Sequence, residues 1–350
     1  MEKEKGRLLY IDILRIVACF SVVMLHSAAQ YWYDIPVSDR NWLIINSYNA
    51  IVRFGVPIFV MISGALFLNQ KGVIDIKKIY LNNILRLVVI YVVWSAIYGI
   101  YDCTTFDWSA MKPGDFFAEI YSGRYHLWYI PMTIGLYMLI PIWKKWLEGA
   151  TKQDVRYFLL LFIVFKILRS TIMVIKPMEW LAFVGGIFEF GTILDYQGYL
   201  ILGYYIAHYG VEKRWHKFIY LAGALGLVIN IVLGNYKSLR TGTPNGEIYD
   251  SFGLFTCLTV IALFIFGVEK MSKWNVSLRQ QAVMKEVSMA TLGIYLMHLL
   301  WMEILQSIGI DSMMASPLIG VPVCALICFA ISFVCAAILR RIPLVGKFVC

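Results

Sequence analysis

Apolar stretches of about 20 residues recur along the whole chain, and they constrain its fold more than any other feature. A helix needs roughly 20 mainly apolar residues to cross the hydrocarbon core of a bilayer. Only 15% of the 350 residues are charged, whereas about a quarter are charged in a soluble domain. The pattern therefore predicts an all-α, polytopic membrane protein with about ten spans, at residues 9–29, 43–68, 80–101, 127–143, 157–175, 194–209, 218–235, 251–268, 288–308 and 316–339.

The distribution of positive charge predicts the topology. Most of the 31 Lys and Arg residues lie in segments that share a side of the membrane with the N-terminus. By the positive-inside rule both termini are expected in the cytoplasm. The net charge of +9 is thus a consequence of topology, and no nucleic-acid partner is expected. We treat residues 1–350 as a single membrane domain.

The first predicted span, YIDILRIVACFSVVMLHSAA (10–29), contains Asp12, Arg15 and His26. A charged side chain at mid-bilayer costs about 2.5–3.5 kcal/mol on insertion scales, so such residues normally face a protein interior or a wet cavity. Arg15 and His26 are close to three helical turns apart, which puts them on one face, roughly 16 Å from each other. They are expected to line a passage, unless Asp12 and Arg15 form a structural pair and His26 is merely capped at the outer interface.

Several segments, in order along the chain, carry a family resemblance. Arg15, ten intervening residues and His26 resemble the signature of the acyltransferase-3 family of membrane O-acyltransferases. Four further segments are similar to patterns of that family, and they are VRFGVPIFVMISGALFL (52–68), HLWYIPMTIGLYMLIPIW (126–143), YQGYLILGYYIA (196–207) and LGIYLMHLL (292–300). The stretch KKIYLNNILRL (77–87) lacks the dense Arg cluster of many members, and in this the chain resembles the membrane domain fused to serine racemases.

The resemblance implies an activity. Members transfer an acyl group, usually acetyl, from cytoplasmic acyl-coenzyme A to a hydroxyl of an extracytoplasmic acceptor. The expected partners are therefore the lipid bilayer, acetyl-coenzyme A as co-substrate, and a cell-surface glycan or small acceptor, in a bacterial cytoplasmic membrane. The seven cysteines include no CxxC pair, so no metal site is expected. Oligomeric state is left open.

The resemblance also assigns catalytic and donor-binding roles. His26 is the expected catalytic base, or the nucleophile that takes the acyl group. Arg15, held by Asp12, would face the donor. Arg86, Lys77 and Lys78 are candidates for its phosphates, although ordinary positive-inside anchoring explains these three equally well.

The candidate residues for binding the acceptor are less specific, and each also has a structural explanation. Arg53 can snorkel to the interface, Trp128 and Tyr129 can belong to an aromatic belt, and Asp195 can cap a helix. His298 and Tyr295 can serve helix–helix hydrogen bonding. The alternatives stay open for these six residues, and no role is assigned to His126.

A secondary transporter, for example of serine, or a polymer exporter is the alternative function. Ten spans with buried charges also describe such carriers, although no paired half-repeats are visible in the sequence. Pro57 within the second predicted span, with Gly55 and Gly64 nearby, predicts a kink that leaves room for a cavity beside the first span.

Overall fold

The computed structural model describes residues 2–70, 72, 74–105, 121–181, 183, 190–343 and 346, without the side chains of residues 2–8, 103–105 and 190–193. Within these residues the chain is helical, with no strand, so the predicted all-α fold is confirmed. Eight helical segments have the length and apolar composition needed to cross a membrane. The total of ten spans and the cytoplasmic position of both termini stay predictions.

The α-helices, in chain order, are α1 (Glu2–Ala29), α2 (Arg40–Ile51), α3 (Gly55–Phe67), α4 (Ile76–Lys78), α5 (Leu85–Thr105), α6 (Tyr129–Gly149), α7 (Lys152–Leu161), α8 (Arg169–Ile175), α9 (Phe190–Tyr209), α10 (Lys213–Thr241), α11 (Leu254–Glu269), α12 (Leu278–Ser307) and α13 (Pro317–Leu339). Two π-helical segments, Ile79–Ile84 and Phe162–Leu168, join their neighbours without a break, and short 3-10 helices form at Tyr125–Trp128, Glu247–Tyr249 and Met271–Lys273.

Two of the ten predicted spans, 127–143 and 194–209, are helical as α6 and α9 but are not among the eight apolar segments. The reason is composition, because α9 carries five tyrosines and Asp195, and α6 carries two tyrosines with Lys144, Lys145 and Glu148 in its last two turns. Polar rings and charges of this kind suit helices that face other helices rather than lipid.

The predicted span 43–68 is two helices rather than one. α2 ends at Ile51, the chain turns through residues 52–54, and α3 begins at Gly55. Pro57 accounts for the break, since it has no backbone N–H to bond the carbonyl four residues earlier and its ring clashes there. The irregularity predicted from Pro57 is therefore present, one turn before the proline itself.

Helix α1 lies at the centre of the bundle, packed against α2, α3, α11, α12 and α13. Leu14, Ala18, Val23 and Ala28 along it are fully buried. We call the end of the bundle near Arg15 the arginine end, and the end near His26 and the α1–α2 connection the histidine end. A capping box between Ser277 and Gln280 begins α12, which then runs from the arginine end to the histidine end beside α1.

Helices α3 and α9 approach each other so closely that only glycine fits at two positions. A Cβ added at Gly64 would lie 1.8 Å from the carbonyl oxygen of Leu200, and one added at Gly203 would lie 2.1 Å from that of Met61. Small residues allow such backbone contact in membrane bundles, where tight packing replaces the hydrophobic drive. This contact holds α3 in place behind α1.

We expect Gly64→Ala and Gly203→Ala each to destabilise the protein by about 1–3 kcal/mol, because the added methyl group must displace backbone. Thermal unfolding of the detergent-solubilised protein measures the effect as a lowered melting temperature. Gly135→Ala in α6 is the matched control, since a Cβ there meets nothing within 4 Å. Equal melting temperatures for Gly64→Ala and Gly135→Ala would contradict the close α3–α9 contact.

Candidate functional site

A cavity of about 460 Å³ opens beside α1 and runs from the arginine end toward the middle of the bundle. Its walls come from α1, α3, α5, α6 and α12, with the π-helical segment before α5 and the residue that follows α13. Three arginines line it, Arg15, Arg86 and Arg340. Three guanidinium groups around one cavity form a site suited to a multiply charged anion such as a phosphate ester.

The local backbone explains how Arg86 and Arg340, which lie outside α1, reach the cavity. Arg86 follows the π-helical segment Ile79–Ile84, whose Asn82 and Asn83 also line the cavity. Such segments re-aim side chains within a helix and are frequent at functional sites. Arg340 caps the end of α13, and its Nη1 lies 3.7 Å from the carboxylate of Glu286.

The expected ion pair between Asp12 and Arg15 is not formed. Arg15 lines the cavity, and no carboxylate among the described residues lies within ion-pair distance of it. The spacing of three residues allows contact on a helix, but the Arg15 side chain extends into the shared cavity instead. The structure thus shows no Asp12–Arg15 ion pair, and a role for Asp12 in the site stays a prediction.

The histidine end of α1 carries a cluster of three imidazoles, His26, His126 and His298, which we call the histidine cluster. The ring of His26 lies 5.0 Å from that of His298 and 6.5 Å from that of His126, measured between centroids. The rings of His126 and His298 are 5.3 Å apart. Both are buried, whereas His26 is partly exposed.

Hydrogen bonding fixes the tautomer of His298. Its Nδ1 lies 2.5 Å from the carbonyl oxygen of Tyr295, and because a carbonyl only accepts, Nδ1 carries the proton. In the uncharged ring Nε2 then holds the free lone pair, and it has no hydrogen-bond partner among the described residues. Neither ring nitrogen of His126 has a well-aligned partner there either. Buried polar atoms without partners are rare and call for an explanation.

Tyr295 connects the cavity to the histidine cluster. It lines the cavity, and its ring lies 5.7 Å from that of His126 and 5.9 Å from that of His298. Its hydroxyl donates to the backbone carbonyl of His126. Tyr129, which also lines the cavity, packs against Tyr295 with ring centroids 5.7 Å apart. A continuous path of polar and aromatic groups thus joins the three arginines to the three imidazoles.

The predicted residues Lys77, Lys78 and Arg53 do not line this cavity. Lys77 and Lys78 are exposed on α4. Arg53 donates from Nε to Asn49 at 2.9 Å, lies 5.2 Å from the ring centre of Tyr249, and lines a second cavity of about 400 Å³.

Trp128 and Asp195 lie near each other but apart from the histidine cluster. The ring of Trp128 contacts those of Tyr129 and Tyr196. Asp195, where α9 is kinked, forms an ion pair with Lys166.

Two residues of the site, His126 and Arg340, have no role in the sequence interpretation. His126 opens the HLWY segment that resembles the family pattern, so a signal for it was present. Arg340 reads as an ordinary cytoplasmic anchor, and only the folded chain brings it to the cavity. No group of three or more His, Cys, Asp or Glu side chains in the described ranges is arranged to hold a metal ion.

The family is shown by comparison with known proteins. The model of the acyltransferase-3 family, described as an acyltransferase domain, matches residues 8–340, nearly the whole chain. Searches of curated proteins and of solved structures found no match. The match includes both the arginine-lined cavity and the histidine cluster. With its apolar helices, the chain is a multi-pass membrane protein, and it belongs to the acyltransferase-3 family of membrane acyltransferases.

Proposed function

We propose that the protein transfers an acyl group from cytoplasmic acyl-coenzyme A to a hydroxyl on an extracytoplasmic cell-surface glycan or related acceptor, in a bacterial cytoplasmic membrane. The proposed acyl group is acetyl, which members of the family usually transfer. The observation that carries this proposal is the path from Arg15, Arg86 and Arg340 through Tyr295 to the histidine cluster. It offers cations at one end and imidazoles at the other. The reaction needs both, one for the phosphates of the donor and one for proton or acyl transfer.

The donor is proposed to enter at the arginine end. The phosphates of coenzyme A carry several negative charges, which guanidinium groups bind by charge-assisted hydrogen bonds. With the phosphates at the arginines, the acyl-bearing arm extends along α1. The axial distance from Arg15 to His26, roughly 16 Å, sets how far the thioester must reach. Lys77 and Lys78 are left with the role of topological anchors.

The reaction at His26 has two forms, and both balance. In direct transfer the imidazole takes the proton of the acceptor hydroxyl while its oxygen attacks the thioester carbonyl, and the thiolate leaves and is then protonated by the imidazolium. In the covalent form His26 attacks the carbonyl, and the thiolate leaves and takes the proton of the acylated ring. The acceptor oxygen then displaces the imidazole from the acyl group, and the hydroxyl proton passes to the imidazole. His298, fixed with its lone pair on Nε2, lies close enough to exchange a proton with His26 through a water in either form.

Replacement of His26 tests this function. We expect His26→Ala to lower acetyl transfer from labelled acetyl-coenzyme A by about 100-fold or more, the usual contribution of a general base. The measurement uses the purified protein in proteoliposomes, with acetylated acceptor and acetyl-coenzyme A hydrolysis as readouts. His208→Ala is the matched control, because His208 lies on α9 and contacts Asn69, away from the histidine cluster.

The same preparation separates an enzyme from a carrier. Full acyl transfer by His26→Ala would contradict the mechanism. Uptake of labelled serine by the wild-type protein, unaffected by His26→Ala and without acyl transfer, would support the transporter alternative.

Separate replacement of Arg340 and Arg341, two neighbouring residues with equal charge, tests the donor site. Both satisfy the positive-inside rule, but only Arg340 lines the cavity, and Arg341 is exposed. We expect Arg340→Gln to raise the KM for acetyl-coenzyme A about tenfold or more, because a hydrogen bond to a charged group contributes about 1.5–3 kcal/mol. Arg341→Gln is expected to leave that KM unchanged. Equal effects of the two substitutions would contradict a donor site at Arg340.

A further inference from the structure

One exposed ring lies against His26. Three aromatic or imidazole rings among the described residues contact that of His26, and they belong to Tyr125, His126 and His298. His126 and His298 are at most 1% exposed, whereas Tyr125 is 63% exposed, with its ring centroid 5.7 Å from that of His26. Among the described rings in contact with His26, Tyr125 is therefore the one that is largely exposed.

A charged triad adjoins Tyr125. Arg124 forms ion pairs with both Asp102 of α5 and Glu303 of α12. Its guanidinium lies 5.6 Å from the ring centre of Tyr98, and the ring of Tyr98 lies 5.0 Å from that of His126. Two carboxylates share one guanidinium, so the triad carries a net charge of −1 and retains oxygen lone pairs that can accept further hydrogen bonds.

The buried histidines beside Tyr125 provide a second, independent observation, which is their unpaired ring nitrogens. Both ring nitrogens of His126 and Nε2 of His298 lack a well-aligned hydrogen-bond partner among the described residues, and the ring of His126 lies 6.0 Å from that of Tyr125. A hydroxyl group that passes Tyr125 finds imidazole nitrogens able to accept its proton. Charge, an exposed ring and unpaired acceptors thus coincide on one side of His26.

We propose that the acceptor reaches His26 over Tyr125, that Asp102 and Glu303 accept hydrogen bonds from its hydroxyls, and that the acceptor is an uncharged carbohydrate rather than an anionic polymer. This inference rests on the proposed acyl transfer and names the substrate class of that site. The ring of Tyr125 offers an apolar face to a sugar ring. The excess negative charge of the triad disfavours phosphate or carboxylate groups beside Tyr125, since like charges in contact cost several kcal/mol. Arg53, a cation whose charge reaches His26, is bound to Asn49 and lies over the ring of Tyr249.

The other side of the 3-10 helix offers the competing route. Trp128 is 48% exposed, and in the described part of the chain its ring contacts are with Tyr129 and Tyr196 rather than with an imidazole. An acceptor stacked on Trp128 would lie toward Lys166 and Asp195 instead of the triad. Replacement of Tyr125 or of Trp128, which are three residues apart, therefore distinguishes the two routes.

Two oligosaccharides of equal length test the charge preference. The wild-type protein in proteoliposomes is given labelled acetyl-coenzyme A with maltotetraose, which is neutral, or tetragalacturonate, which is anionic, each as acceptor and as competitor of acetyl-coenzyme A hydrolysis. We expect a preference for maltotetraose of about 100-fold or more, because like charges in contact cost several kcal/mol and each 1.4 kcal/mol is tenfold. Glu303→Gln removes one negative charge and is expected to narrow that preference at least threefold.

Aromatic replacements test the route. Tyr125→Ala is expected to raise the KM for maltotetraose about two- to tenfold, the loss of one stacked aromatic contact, without a change in the KM for acetyl-coenzyme A. Tyr125→Phe, which keeps the ring, is expected to retain the wild-type value. Tyr157→Ala on α7 is the matched control, because Tyr157 is 64% exposed and lies in another part of the bundle.

The proposal is overturned if tetragalacturonate is used or bound as well as maltotetraose, if neither is used or bound, or if Trp128→Ala raises the acceptor KM while Tyr125→Ala does not. Loss of acetyl-coenzyme A turnover in His26→Ala separates these outcomes from a failure of the proposed function. When that loss is observed, acyl transfer stands and the acceptor route alone is wrong.

Discussion

The cost of placing ionisable side chains inside a bilayer shapes this bundle around α1. Arg15 and His26 lie on a helix that is otherwise apolar, and each needs polar surroundings from other helices. Asn82 and Asn83 accompany Arg15 at one end, with two further arginines. His126 and His298 accompany His26 at the other. α1 is therefore central, because only a central helix can be surrounded by such groups along its whole length.

The two ends of α1 differ in chemistry, and irregular backbone makes room for both. The break before Pro57 shortens α3, and the π-helical segment before Arg86 turns Asn82 and Asn83 into the cavity. Close contact of α3 with α9, through Gly64 and Gly203, keeps α3 from filling that space. Tyr295 lies between the cavity and the buried imidazoles and contacts both. Close helix packing, irregular backbone and polar side chains together produce a path through the bundle rather than a solid core.

Helical periodicity is sufficient to place Arg15 and His26 on one face, since both belong to a single helix. Periodicity is not sufficient for His126, which lies about 100 residues further on, in a 3-10 helix whose position depends on Arg124, Tyr98 and Tyr295. Only the folded chain shows that contact.

Charge and spacing in the sequence do not show which side chains enter the cavity, as Arg340 and Arg15 illustrate. Arg340 carries the same charge as its neighbour Arg341, and the end of α13 alone decides which side chain enters the cavity. Asp12 has the right spacing for Arg15, but spacing takes no account of the cavity into which Arg15 extends. The resemblance of separate segments to one family, by contrast, was visible in the sequence and is confirmed over residues 8–340.

In the proposed reaction the donor spans the bundle from the arginines to His26. A structure of the protein determined with a non-hydrolysable thioether analogue of acetyl-coenzyme A tests it most directly. We expect the phosphates to contact Arg15, Arg86 and Arg340. The acetyl carbon is expected within about 3–3.5 Å of an imidazole nitrogen of His26 or of a bound acceptor oxygen, the separation of reacting atoms. An analogue bound outside this cavity, or with its acetyl group beside the arginines and its nucleotide near the histidine cluster, would contradict it.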